Sequence, residues 1–211
     1  MTSKENTERV FAAVDIMNLW HSGREQLGPE VRVNYGRLKD LILNQQLGSY
    51  QRKVTLVAYT ITSPAKQESN GHTHYRDQPR NHRFLSTLKE IGYEIKNRNL
   101  RIEKGLKPFS SDWDVGIAID AINRVDEYDT FCLVSGDGDY ALLLDDLKNR
   151  GKYVEVITFQ STASRFLHVS ANRITYLTEN EIFRQILPNG SNVCLVCKKP
   201  APECSCAEDN E

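Results

Sequence analysis

Five short apolar runs, Val10–Val14, Val54–Ile61, Tyr93–Ile95, Thr130–Val134 and Val154–Phe159, recur along a chain otherwise spaced for helices. Their length and their β-branched and aromatic content read as buried strands. Between them, Tyr35–Leu47 sets Leu38, Leu41 and Ile42 on one side and stops at Gly48. Asn81–Ile91 carries Phe84, Leu85, Leu88 and Ile91, with Gly92 just past its end, and Tyr140–Arg150 carries Leu143, Leu144 and Leu147 before Gly151. Glycine after the last apolar position is the usual stop for a helix. Strand alternating with helix predicts an α/β fold of three layers, helix, sheet and helix, around a mainly parallel central sheet. Ser63–Gln78 reads as a long polar loop. Pro188-Asn-Gly-Ser191 reads as a linker, dividing a domain over 1–188 from a tail over 189–211.

Two of the predicted strands give way at once to carboxylates. Asp15 closes the first run, and Asp137 and Asp139 follow the fourth in Ser135-Gly-Asp-Gly-Asp139. In an open parallel sheet, ligand sites form beyond the carboxyl ends of strands where the strand order reverses, so the two acidic ends predict one shared pocket. Unit charges about 4 Å apart repel by roughly 4 kcal/mol at an effective dielectric near 20. A cluster of this kind holds protons or a hard divalent cation, and Mg²⁺ or Mn²⁺ is the expected occupant. A third acid is predicted from the helix Asp112–Val125, capped by Ser111. At about 100° per residue, Asp114 shares a face with Ala118, Ala121 and Val125, where a carboxylate needs a partner. Asp120 falls opposite, with Gly116 and Asn123, and reads as a surface acid. Asn18 and Ser135 stand where they would orient a carboxylate or a substrate phosphate, or serve as turn residues. Asp139 reads equally as a site acid or as a cap for the helix that follows.

Composition leaves the nature of the partner to the charge distribution. The chain has 211 residues, 39% hydrophobic and 26% charged, with a formal net charge of −1. The total makes no case for a polyanion, but Lys96, Arg98, Arg101, Lys104 and Lys107 lie together against one acid, Glu103. Just before them His72, His74, Arg76, Arg80, His82 and Arg83 are interleaved with Tyr75 and Phe84. An acidic site flanked by basic segments suits a metal-dependent enzyme acting on a nucleic acid. The basic run would contact phosphates, and Tyr75 or Trp113 would stack on a base. The five histidines show no compelling metal spacing, and Cys132 reads as a core thiol. Met1–Asn6 lacks the apolar core of a signal peptide and no stretch is long and apolar enough for a membrane span, so a cytoplasmic protein is expected. The other four cysteines, Cys194, Cys197, Cys204 and Cys206, fall within thirteen residues of the tail. They read as one structural Zn²⁺ site, with a disordered reduced tail or other redox chemistry as the alternatives.

Val14-Asp-Ile-Met-Asn-Leu19, Asp114-Val-Gly-Ile-Ala-Ile-Asp120 and Leu133-Val-Ser-Gly-Asp-Gly-Asp-Tyr140 together resemble the three signatures of LabA-like NYN domains. The resemblance spans roughly Val10 to Leu187, with Ser161–Tyr176 similar to the family's closing segment. It implies a PIN-like, Rossmann-like fold and metal-dependent ribonuclease chemistry, with Asp15, Asp114 and Asp137 as catalytic metal ligands and Asp139 beside them. The implied partner is RNA, as a single strand, and a homodimer is compatible with it. A rival expectation is a regulatory RNA- or protein-binding module that keeps the fold and turns over slowly or not at all. Two positions depart from the family's pattern. Lys104 and Lys107 are separated from Asp114 by Pro108–Trp113, where family members carry a lysine just before the helix acid. Asn172 stands where an aspartate is common.

Overall fold

A computed structural model describes residues 7–28, 31–45, 51–62, 65–69, 72–76, 79–99, 112–177, 183–186 and 192–194. Its centre is a six-stranded sheet in the order β6-β3-β1-β7-β8-β9, from β1 (Thr7–Asp15), β3 (Gln51–Thr62), β6 (Glu94–Asn99), β7 (Thr130–Val134), β8 (Tyr153–Thr158) and β9 (Arg173–Tyr176). Every pairing in it is parallel. The helices are α1 (Ile16–Leu27), α2 (Tyr35–Asn44), α3 (Pro79–Ile91), α4 (Asp114–Asn123), α5 (Ala141–Asn149) and α6 (Arg165–Ser170).

The two-residue period of the strands sorts the core into two halves. Val10, Ala12 and Val14 of β1 pack with Leu19 of α1, Leu38 and Ile42 of α2 and Leu88 of α3. Phe11 and Ala13 pack on the other face with Ile117 of α4, Leu144 and Leu147 of α5 and Leu167 of α6. The chain builds outward from β1 through β3 and β6, then crosses to β7 and builds the other way. Helices of the first half cover one face and those of the second half the other, which puts the topological switch between β1 and β7. Gly92 and Gly151 end α3 and α5 at φ +105° and +78°, a backbone region costly for residues with a Cβ.

The expected loop over Ser63–Gln78 is instead largely a two-stranded antiparallel hairpin, β4 (Ala65–Ser69) with β5 (His72–Arg76). Its sequence signal is Asn70-Gly71, the dipeptide most favoured between hairpin strands, which outweighs the polar composition. A second small sheet pairs β10 (Phe183–Ile186) antiparallel with β2 (Val31–Val33) and with β11 (Asn192–Cys194). The expected tail thus contributes a strand, while Cys197, Cys204 and Cys206 lie outside the described residues. No helix among the described residues is long and apolar enough to cross a membrane.

Candidate metal centre

Asp15 is the last residue of β1, and odd positions of that strand face α4 and α5. Its side chain therefore leaves the core on that face, buried to 7% exposure. It caps α1, its Oδ1 accepting the N–H of Asn18 at 3.0 Å. On the neighbouring strand, Ser135, Gly136 and Asp137 follow β7 at the same edge of the sheet. Asp137 Oδ1 accepts the N–H of Asp139 at 3.0 Å, so Asp137 caps this turn, and Asp139 is left exposed. Asn18 joins the two strand ends, its Oδ1 accepting the N–H of Gly136 at 2.9 Å. Ser135 is buried, with its Oγ accepting the N–H of Asp137 at 3.2 Å.

The helix α4 runs back along the sheet, so its first residue, Asp114, lies at the same carboxyl edge. Residue 111 lies outside the described residues, and the N-cap is Trp113, which makes no side-chain cap bond. Instead the indole Nε1–H donates to the carbonyl of Thr60, the last buried residue of β3, at 2.8 Å. The Arg98 guanidinium lies 4.1 Å from the centre of the Trp113 ring, and Arg98 also donates to Asp112 O at 3.0 Å. A Cβ on Gly116 would sit 2.5 Å from Trp113 Cε3, so this glycine lets the indole fold back over the helix.

Asp114, Asp137 and Asp139 each present a carboxylate oxygen within 4.8 Å of the others. Asp15 is joined to them through Tyr140, whose hydroxyl lies 2.7 Å from Asp114 Oδ1 and 3.2 Å from Asp15 Oδ2. Burial raises the Asp15 carboxyl above the usual range, the neighbouring Asp114 adds to this, and the bond from the Asn18 N–H opposes it. Burial likewise raises Asp114, reinforced by the charges of Asp112, Asp137 and Asp139 and opposed by Tyr140. Burial and both carboxylates push the Tyr140 phenol up, so it remains a donor. Three hard oxygen ligands within 4.8 Å of one another fit a hard divalent cation and not a soft metal.

The remaining predicted residues are spread out. Lys96 and Arg98 lie on β6, an edge strand longer than expected, because charged side chains suit an edge that faces water. Lys96 Nζ lies 3.5 Å from Asp120 Oδ2, which also accepts the Tyr59 hydroxyl at 2.9 Å. Asp120 is therefore a partly buried, paired acid and not a free surface one. The expected inner face of its helix holds, since Ala121 is buried and Ala118 and Val125 pack on the same core half. It is wider than expected and takes in Ile117 and Asp120, while Val115 and Ile119 are exposed. Arg101, Lys104 and Lys107 lie outside the described residues, as do the side chains of Tyr75 and Cys194. Asn172 sits at the other end of the sheet and accepts the Val154 N–H at 2.8 Å. Tyr140 is the site residue that the sequence reading did not single out. Its signal was a hydroxyl-bearing aromatic directly after Asp139, at the head of a leucine-lined helix.

A family model described as the NYN domain matches residues 9–178 of the chain. The chain belongs to the NYN domain family. An acidic cluster at the switch point of an NYN domain fits a metal-dependent nuclease. A relative of this NYN domain is the low amplitude and bright protein LabA of Synechococcus elongatus, 28% identical over 104 residues, 47% of this chain and 55% of that protein. The chain thus spans about half the length of that relative. A crystal structure of a Vibrio parahaemolyticus protein of unknown function has the same fold, with a TM-score of 0.65 at 24% identity over 86% of this chain and 99% of that one.

Proposed function

We propose that this NYN domain is a ribonuclease that hydrolyses RNA phosphodiester bonds at a site built by Asp114, Asp137 and Asp139, with Asp15 behind them. The observation that carries this reading is the convergence of the three carboxylates at the β1–β7 switch point. Bound there, Mg²⁺ or Mn²⁺ would activate water and stabilise the charge developing on the scissile phosphate. The chain's own part is positional. Asp137 is fixed by its turn, Asp114 by a helix start whose dipole favours a carboxylate, and Asp15 by the end of a central strand.

A single RNA strand would reach the acids past Arg98, which is exposed and lies over the indole of the residue before Asp114. Lys96, Arg101, Lys104 and Lys107 would extend this basic path, and phosphate contacts would make affinity salt-dependent. Cys194, Cys197, Cys204 and Cys206 would form a closed structural Zn²⁺ site apart from the chemistry. Metal analysis of protein purified without added zinc tests that part.

The deciding experiment incubates the purified chain with labelled single-stranded RNA, structured RNA and DNA in Mn²⁺, Mg²⁺ or EDTA. Cleavage of single-stranded RNA that needs the metal and is abolished by Asp137→Asn is the expected result. RNA binding with no cleavage in either metal would make the chain a binding module.

A further inference from the structure

We propose that Tyr140 is a positioning residue of the acidic site, holding the Asp114 carboxylate against Asp137 and Asp139 while Asp15 braces the Tyr140 hydroxyl from behind. The inference rests on reading the three acids as a divalent-cation site.

The Tyr140 ring is buried at 2% exposure in the same core half as Ile117, Leu143, Leu144 and Leu167, so its packing fixes where the hydroxyl stands. That hydroxyl is 2.7 Å from Asp114 Oδ1 and 3.2 Å from Asp15 Oδ2. A phenol has one hydrogen to give, and the shorter distance assigns it to Asp114. Asp15 is itself fixed, as the end of β1 and by the N–H of Asn18, so it limits the phenol from the far side.

Asp114 needs such a hold. It is half-buried beside two other carboxylates, and repulsion among like charges would turn a free side chain out towards water. A lysine would oppose that turn too, but its charge would compete with a cation for the same oxygens. A tyrosine hydroxyl restrains the carboxylate without neutralising it. A carboxylate has two oxygens and about four lone-pair sites, so the bond at Oδ1 leaves Asp114 able to bind a metal. Groups that orient a metal ligand from outside typically matter 10–100-fold in affinity or activity.

The test compares Mn²⁺ affinity, read from the free-ion electron paramagnetic resonance signal, for the native full chain, Tyr140→Phe and Tyr128→Phe. Tyr128 lies in the same core half and its hydroxyl donates to Ala121 O at 2.8 Å. Its variant therefore reports the loss of a buried hydroxyl without contact to an acid. Tyr140→Phe, folded by circular dichroism, is expected to bind Mn²⁺ about 10–100-fold more weakly, and Tyr128→Phe to bind as the native chain does. In RNA cleavage, Tyr140→Phe should lower kcat and leave KM for RNA unchanged. Equal Mn²⁺ affinity of Tyr140→Phe and native chain would overturn the proposal, as would an equal loss in both variants. A native chain that binds Mn²⁺ but cleaves no RNA would sink the ribonuclease reading alone. A native chain that binds no Mn²⁺ would overturn both.

Discussion

Asn18 Oδ1 accepts the backbone N–H of Gly136 at 2.9 Å, joining the start of the helix after β1 to the loop after β7 across 118 residues of chain. The bond ties the strand end that carries Asp15 to the one that carries Asp137. Asn18→Ala leaves the buried Gly136 N–H without this acceptor, which costs about 1–3 kcal/mol. The loss is expected as a lower urea midpoint with an unchanged m-value. A parallel fall in Mn²⁺ affinity should follow, because Asp137 is the next residue along the loosened loop. A midpoint equal to that of the native chain would mean that the bond contributes nothing.

The loop after β7 is also held from the other side. A Cβ on Gly136 would lie 2.8 Å from both Thr158 Oγ1 and Thr162 O, and one on Gly138 would overlap Ser164 Oγ. Neither glycine has a positive φ, so close approach and not backbone twist demands them. Thr162 O is backbone and cannot turn away, whereas the Ser164 hydroxyl can rotate about χ1. Gly136→Ala should therefore destabilise more than Gly138→Ala, by about 1–3 kcal/mol in the range usual for overpacking. Thermal melts of the two variants side by side check the order.

These two contacts mark the boundary of what the sequence made legible. The strands, the acids at their ends and the glycines closing α3 and α5 are local signals, written in runs and spacings of a few residues, and the doubly wound sheet follows from them. Asn18, Tyr140 and Asp120 act through partners 118, 125 and 61 residues away, and no local period encodes those distances. Lys96 and Arg98 fell beyond the apolar run Tyr93–Ile95 although they belong to β6, because edge strands tolerate charge, and the hairpin over Ser63–Gln78 was masked by its polar composition.

Asp15 gives a pH prediction. Its folded-state carboxyl is raised, chiefly by burial, so the folded chain keeps the Asp15 proton to higher pH than the unfolded chain does. Its contribution to stability is present below the ordinary carboxylate range and is lost as pH rises through the raised folded value. Asp114 is raised in the same direction. In EDTA at pH 7.5, Asp15→Asn should melt no lower than the native chain, since asparagine can also accept the Asn18 N–H as a cap. At pH 4 the native chain should recover relative to the variant. Mn²⁺ should raise the native Tm more at pH 7.5 than at pH 4.5, because protonated carboxyls are poor ligands. A variant melting well below the native chain at pH 7.5 in EDTA would show that the Asp15 charge is not a cost to the fold.

At the opposite end of the sheet, Arg52 is buried with a fully covered side chain between Glu155, at 2.7 Å, and Glu8, at 2.9 Å. Arg52 also donates to Ile42 O at 3.2 Å, and the Thr130 hydroxyl donates to Glu8. These residues tie the early parts of β1, β3, β7 and β8 together on the face covered by α1 and α2. Glu155 has no exposure, so removing its charge leaves a guanidinium buried without its main partner, which costs about 3–5 kcal/mol. Glu155→Gln should show that loss in urea unfolding. Because a buried pair is costly to desolvate, replacing both members by apolar residues is milder than breaking it. The double variant Arg52→Met, Glu155→Leu should thus lose less than the sum of the two single changes, although Glu8 would still have lost its cation. The network is remote from Asp114, Asp137 and Asp139, so folded Glu155→Gln should bind Mn²⁺ as tightly as the native chain. A weakened Mn²⁺ affinity in folded protein would mean that the two ends of the sheet are coupled.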